Sequence, residues 1–445
     1  MDKAPQWGIE PVPERLRVLG LADNTLLWGS LGVSLLVLVA GSFLVPALSL
    51  RDALLAILVG SLIGNAMLGA AGLIGADARV PAMVLLRAPL GQRGSYVPTA
   101  LNVLQCLGWA VFELIIIAAA AAALADELFG WGERWPWVLV FGAVTLALVL
   151  LGPVGVVRRY LKTFALWVVL ASLAYLTWWA LDGADLGALW SKQGEGGLPF
   201  LGGVDLVVAI TVSWVPLVAD YTRFARGRSD AFWGSGAGYF IAATWLFALG
   251  AILFLSRDLS DAAAVPAAVA AGGGAAALAL LAVTIDEADE AFANVYSAGV
   301  SAQNVLTRIP QRALLVVATA VATIGALVLE LKDYELFLYL LGSFFVPLFG
   351  VMLADWLLRG ARYQRDDMFR APALRPAALI AWLVGFALYQ WLHPVGPAWW
   401  TDLVERTDPA QLSTGATLPS FAAAFGLTAL AQLASRGPRT RAAQP

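Results

Sequence analysis

Apolar and polar positions in this chain segregate over whole helices rather than single turns. Twelve apolar stretches lie at about 24–46, 52–75, 95–125, 136–156, 161–181, 203–222, 234–256, 275–304, 312–330, 334–358, 374–392 and 417–435, with short polar connections between them. Each holds roughly twenty residues or more, the length of helix that crosses the apolar core of a bilayer. The pattern predicts an all-α membrane protein of twelve transmembrane helices.

The basic residues test that count. Lys3, Arg15 and Arg17 precede the first stretch. From there every second connection carries a cluster: Arg79, Arg87 and Arg93; Arg158, Arg159 and Lys162; Arg223, Arg226 and Arg228; Arg308 and Arg312; Arg359, Arg362, Arg365, Arg370 and Arg375; then Arg436, Arg439 and Arg441. These are 22 of the 28 Lys and Arg residues, and the other six fall one to each opposite connection. Excess Lys and Arg marks the cytoplasmic side, so both termini are expected in the cytoplasm. A wrong span count would scramble the alternation.

Composition agrees. The chain has 445 residues, 60% hydrophobic and only 13% charged, about half the charge of an average soluble domain. Mean hydropathy is +0.77. Cys106 is the only cysteine, which excludes a disulfide within the chain and a cysteine-based metal site. His393, the only histidine, precedes Pro394 and is expected in a solvated loop. The first apolar stretch ends in no small-residue cleavage pattern, so no cleaved signal is expected. No nucleotide loop, metal-ligand cluster or Ser/His/Asp set occurs. An enzyme is not expected, nor a cofactor or a nucleic-acid partner.

The eighth stretch breaks the apolar rule. Its middle reads Thr284-Ile285-Asp286-Glu287-Ala288-Asp289-Glu290-Ala291-Phe292-Ala293-Asn294. A charge facing lipid at that depth costs roughly 3 kcal/mol or more, so these acids are expected to face protein, a water-filled cavity or a cation. Glu287, Glu290 and Asn294 recur at helical spacing and share a face, flanked by Asp286 and Asp289. The alternative is a surface loop between two short helices, and Gly272-Gly273-Gly274 marks a break just before it.

The third stretch supplies a second polar stripe. Gln105, Trp109 and Glu113 stand at i, i+4 and i+8, on one side of a helix. An aromatic face between an amide and a carboxylate suits a flat heteroaromatic ligand: Trp stacks while the polar groups fix its edge. In the sixth stretch, Pro216 follows Thr211-Val212-Ser213-Trp214-Val215, and a mid-span proline opens the helix near Ser213. The stretch closes on Ala219-Asp220-Tyr221-Thr222-Arg223-Phe224. The tenth repeats the arrangement, with Pro347 and then Ala354-Asp355-Trp356. Asp220 and Asp355 are expected to be tied to nearby arginines or to act as gate latches. In the first stretch, glycines serve packing or an opened turn; the candidate for an opened turn is Val39-Ala40-Gly41-Ser42. The connection 359–375 is expected to be a solvated basic face.

Three of these blocks carry a resemblance: Gly94-Ser95-Tyr96-Val97-Pro98 leading to Gly108-Trp109, Ala219 to Phe224, and Pro347 to Tyr363. Together they resemble the nucleobase:cation symporter-1 family, the cytosine/purine/hydantoin permeases. The resemblance implies a leucine-transporter-type fold, a five-plus-five inverted repeat with broken first and sixth helices and two further C-terminal helices. It divides the chain into a cytoplasmic N-terminus (1–23), a first repeat (24–181), an external loop (182–202), a second repeat (203–358), the last two helices with their basic loop (359–435) and a cytoplasmic tail (436–445). Leu44 to Leu50 and the acid-rich eighth helix look most like the branch of hydroxymethylpyrimidine transporters of thiamine salvage.

Residue by residue, Trp109 matches the tryptophan that stacks on the substrate ring. Glu113 falls where a hydantoin-transporting member has a glutamine. Ser213 falls in the helix-six break; the family's aromatic there matches Thr211, and the nearest aromatic here is Trp214. The family's eighth helix offers hydroxyls to the cation and an Asn or Asp to the substrate. Here that stretch is Asp286, Glu287, Asp289 and Glu290, with Asn294 one turn on, and which acid meets which partner stays open. Val39 and Ala40 are the expected first-helix side of the cation site. A carboxylate can bind sodium, near Asp286, Asp289 and Glu290, or carry a proton. The resemblance thus implies a cation-coupled importer of a small pyrimidine in the bacterial inner membrane, in contact with lipid. A cytosine, purine or allantoin carrier on the same fold, a membrane-embedded enzyme and a channel are the rivals.

Overall fold

The computed structural model describes residues 8–156, 166–182, 184–261, 264–329, 334–409 and 415–435. Among these residues the chain is helical, with one isolated bridge between Leu19 and Ala225. Helix occupies every one of the twelve apolar stretches. The first holds α1 (Leu21–Ser30) and α2 (Leu35–Ser42). Then follow α3 (Leu50–Ala78), α4 (Tyr96–Phe129), α5 (Trp135–Val156) and α6 (Leu166–Leu181). The sixth stretch holds α7 (Phe200–Ser213) and α8 (Ala219–Thr222), and the seventh α9 (Arg228–Ser256). The eighth holds α10 (Gly274–Asp286) and α11 (Ala288–Ala302). The last four are α12 (Gln311–Val328), α13 (Tyr334–Leu358), α14 (Pro376–Leu392) and α15 (Thr417–Ser435).

Seven of these helices are long and apolar enough to cross a membrane, and α1 with α2 pass together across a bend of 58°. Helices α6, α7 and α14 are apolar but shorter. Outward-facing Leu104, Trp167, Ile241 and Leu383 are exposed, as side chains in contact with acyl chains would be.

Packing sorts the helices into groups. One contains α1, α2, α3, α7, α8 and α9, with α9 lying along α1, α2 and α3; the other contains α4, α5, α11 and α12. Helices α13, α14 and α15 pack mainly on each other, and α6 lies against α10. Contact within the first group is backbone to backbone. A Cβ on Gly41 would fall on the Phe247 carbonyl, and one on Gly250 on the Leu38 carbonyl. Glycine is required there because α2 and α9 approach too closely for any side chain.

The first and sixth stretches break, as expected, but the first does so elsewhere. Val39 to Ser42 is regular helix inside α2, and the bend lies between Ser30 and Leu35. Ser34 makes that break by capping α2: its hydroxyl accepts from the amides of Leu36 (3.1 Å) and Val37 (3.4 Å). In the sixth stretch α7 stops at Ser213 and α8 resumes at Ala219, around Pro216.

Two connections differ from expectation. The loop 182–202 contains a short helix, Leu186–Ser191. The connection 359–375 is partly packed rather than freely solvated: Tyr363, Met368 and Ala371 are buried in it, and the Gln92 amide donates to the carbonyls of Phe369 and Ala371. His393 lies exposed in the bend that follows α14, as expected of a solvated loop, with its ring 4.4 Å from that of Tyr339.

Candidate functional site

A closed cavity lies between the two helix groups. From the first come Ser34, Leu36 and Val37 at the start of α2, Ile210, Ser213 and Trp214 at the end of α7, and Tyr239 on α9. The second supplies Trp109 and Glu113 on α4 and Glu290 and Asn294 on α11. The centre of a water-sized sphere has about 10 Å³ to move in, roughly the space of one water molecule. A ring compound therefore enters only when the groups separate.

The two tryptophans are held by their neighbours. Trp109 packs edge-on against Phe337 at 5.3 Å. The Trp214 indole N–H donates to the Tyr239 hydroxyl at 3.0 Å, and its ring meets Trp28 edge-on at 5.7 Å. Thr211, the family's aromatic position, packs instead against Gly64, where any Cβ would collide with it. Trp214 thus provides the aromatic surface from the sixth stretch.

The polar wall is made of carboxylates and one amide. Asn294 donates to Glu113 Oε1 at 2.7 Å, and Glu290 lies beside Glu113. Glu113 Oε2 and Glu290 Oε1 are buried and accept no hydrogen bond. Such oxygens are costly unless a donor or cation reaches them. Among the described residues no Lys, Arg or His lines the cavity.

The neighbouring acids point elsewhere. Glu287, fully buried between α10 and α11, accepts from the Ser34 hydroxyl (2.9 Å) and the Leu35 amide (2.7 Å). Its carboxylate therefore sits on the N-terminus of α2. Asp289 faces Ser30, and neither of its oxygens has a hydrogen bond of normal geometry. The surface-loop alternative for this stretch is excluded, because Glu287, Asp289 and Glu290 are all buried. The Asp286 side chain lies outside the described residues. Among the described residues no three His, Cys, Asp or Glu side chains converge as a metal site.

Other expected site residues are placed differently. Gln105 does not line the cavity: its amide donates to Asn102 Oδ1 (2.6 Å) and the Ser213 carbonyl (3.1 Å). Asn102 in turn donates to Ser301 Oγ (2.9 Å) and the Pro216 carbonyl (3.3 Å). This pair satisfies carbonyls exposed by the helix-six break, which is why Gln105 turns toward that backbone. The carbonyls of Val39 and Ala40 are engaged within the helix. The Ser42 hydroxyl donates to the Val39 carbonyl and the Phe43 amide to that of Ala40 (3.2 Å), because α2 is helical there.

Both supposed latches are tied. Asp220 accepts from the Ala82 amide at 3.0 Å. Asp355 accepts from Arg359 (2.8 Å), the Tyr363 hydroxyl (2.9 Å) and Gln432 on α15. Burial, followed by the Asp355 carboxylate, pushes the Tyr363 phenol well above its ordinary pKa.

Ser30, Ser34 and Tyr239 were not expected in the site. Ser34 was detectable, as a capping residue two places after Gly32 inside an apolar run. Tyr239 carries no local signal, because only packing brings α9 to the cavity.

Comparisons with known proteins agree with this fold. The profile of a family described as permease for cytosine/purines, uracil, thiamine, allantoin matches residues 11–403. The cytosine permease of Escherichia coli (strain K12) is 26% identical over 393 residues, covering 87% of this chain and 89% of that protein. The hydantoin permease of Microbacterium maritypicum is 24% identical over 380 residues, covering 80% and 77%. Among solved structures, Mhp1, a nucleobase-cation-symport-1 family transporter in a closed conformation with bromovinylhydantoin bound, superposes with a TM-score of 0.79. It is 21% identical and covers 98% of this chain and 97% of its own. The inward-facing conformation of Mhp1 gives a TM-score of 0.75 at 19% identity, covering 98% and 95%.

Proposed function

The chain belongs to the family of permeases for cytosine/purines, uracil, thiamine and allantoin, and from that premise we propose that it imports a small aminopyrimidine, hydroxymethylpyrimidine foremost, together with a cation. The observation that carries this reading is the cavity wall: Trp109 and Trp214 offer aromatic faces while Glu113, fixed by Asn294, turns an unpartnered oxygen inward. An aminopyrimidine presents an exocyclic N–H to such an oxygen, and its ring lies on a tryptophan. Ser213 adds a polar point at the helix-six break. Gln105 acts indirectly, by holding that break.

The coupling cation is sodium or a proton, carried where the eighth stretch meets the first. Asp289 opposite Ser30 suits a sodium ion, with a carboxylate and a hydroxyl as oxygen ligands on facing helices. Glu290 points to the substrate cavity rather than to this place, so one ion would not take both acids. Exchange between outward- and inward-open states follows from rocking the α1–α3 and α7–α9 group against the α4, α5, α11 and α12 group. Both groups contribute to the cavity, so substrate would bind at their join. We assign the protein to a bacterial inner membrane with cytoplasmic termini, the orientation favoured by the alternating basic clusters.

A cytosine carrier is the second reading, favoured by the Escherichia coli relative and by the amino group cytosine shares. A thermal-shift panel on the purified protein separates them, using hydroxymethylpyrimidine, cytosine, a purine and allantoin, with and without sodium, at two pH values. A shift with hydroxymethylpyrimidine above the others supports the first reading; a larger shift with cytosine or allantoin replaces it. No shift with any ring compound rejects both.

A further inference from the structure

The break in the first stretch creates an anion site that the protein fills itself. Helix α2 begins at Leu35 in the middle of the molecule, and a helix start presents unpaired amides and a partial positive charge. Such an end, beside a substrate cavity, would hold a carboxylate or phosphate group of a ligand. Here the ligand is Glu287, a side chain of this chain, bonded to the Ser34 hydroxyl and the Leu35 amide. The remaining polarity of the cavity has the same sign. Glu113 Oε2 and Glu290 Oε1 are buried with no donor, and among the described residues no cationic side chain lines the wall.

We propose that Glu287 is a built-in anion that determines specificity: it occupies the anion-binding end of α2 and restricts the cavity to uncharged or positively charged ring compounds, excluding acid-bearing ones. The inference rests on the cavity being the substrate site, and it adds which charge class the site refuses. Glu287 does not touch the ring. It acts through the helix end it occupies, and a ligand carboxylate brought to the same place would find its donors taken and three acids nearby.

The test compares an aminopyrimidine carboxylate with the corresponding carboxamide, on one ring, in the wild-type protein and in Glu287→Ala. In the wild type the carboxylate should bind at least about tenfold more weakly than the amide. Glu287→Ala should narrow that ratio to about threefold or less, or reverse it, and formate should raise its thermal midpoint while leaving the wild type unmoved. A wild type that binds both compounds within about threefold overturns the proposal, even if Glu287→Ala fails to fold. A folded Glu287→Ala with an unchanged ratio and no response to formate also overturns it. If no ring compound binds the wild type, the substrate reading fails, and the formate response of Glu287→Ala still decides whether Glu287 fills an anion site.

Discussion

The Asn294 side-chain amide donates to Glu113 Oε1 at 2.7 Å, joining α11 to α4 inside the second helix group. The bond orients the carboxylate and leaves Oε2 as an acceptor in the cavity. In Glu113→Gln the amide oxygen can keep the Asn294 bond, but an NH2 replaces Oε2. A donor then meets the donor of an aminopyrimidine, whereas a ring carbonyl would find a partner. Affinity for aminopyrimidines should fall by about 1.5–3 kcal/mol, roughly ten- to a hundredfold, with a smaller loss for an oxo-ring analogue. Competition binding with both compounds checks this, and equal losses would remove the paired-edge role of Glu113.

Trp109 tests stacking separately from hydrogen bonding. Trp109→Ala removes the aromatic face and should weaken ring binding by at least about tenfold, since stacking on an aromatic face is worth about 1 kcal/mol beyond its buried area. Trp109→Phe should recover much of it. The ring also props Phe337, so the thermal midpoint of ligand-free protein must be measured alongside. Unchanged affinity in a folded Trp109→Ala would reject the stacking role.

Most of the architecture was legible because it is written in hydropathy and in breakers. Apolar length marks the helices, and Pro216 marks the opening after Ser213. The stripe of Trp109 and Glu113 was legible for the same reason, as helical spacing alone puts both on one side of α4. The first break was misplaced because glycine has two meanings in a membrane helix. Gly41 serves close packing against α9, while the capping hydroxyl of Ser34 makes the break. Gln105 shares the stripe yet turns to the Ser213 carbonyl, a partner that exists only once α7 has ended. The fates of Glu287, Asp289 and Glu290 depend on which helix each faces, and spacing along one helix does not record its neighbours.

Asp355 joins α13, the 359–375 connection and α15 through Arg359, Tyr363 and Gln432. Removing the carboxylate takes away the stronger acceptor of both groups, leaving the buried Tyr363 hydroxyl only the Met352 carbonyl (3.3 Å) and Arg359 only Asp367 (3.1 Å). Asp355→Ala should therefore destabilise the protein by about 3 kcal/mol and lower its thermal midpoint by several degrees. Substrate affinity should stay within about threefold, because no partner of Asp355 lines the cavity. A stable Asp355→Ala protein with an altered transport rate would instead make Asp355 a latch.

His393 gives the protein a pH dependence of known sign. Packing against Tyr339 partly desolvates the imidazole and holds it below the ordinary value near 6.5, although the residue stays exposed on its other side. Below that pH the unfolded chain binds a proton at His393 that the folded protein does not take up. Stability therefore rises with pH in that range and falls as the solution is acidified, with a shallow slope because solvent reaches the ring. Above about pH 6.5 the imidazole is neutral in both states and contributes no slope. Other groups titrate as well, so the informative quantity is the difference between the wild type and His393→Gln. That difference should be constant from about pH 7 to 8 and shift in favour of the variant as pH drops toward 5. Thermal midpoints of both proteins across this range supply the measurement. Parallel curves throughout would mean that the imidazole takes up its proton without penalty, and that the contact with Tyr339 does not disfavour the charged form.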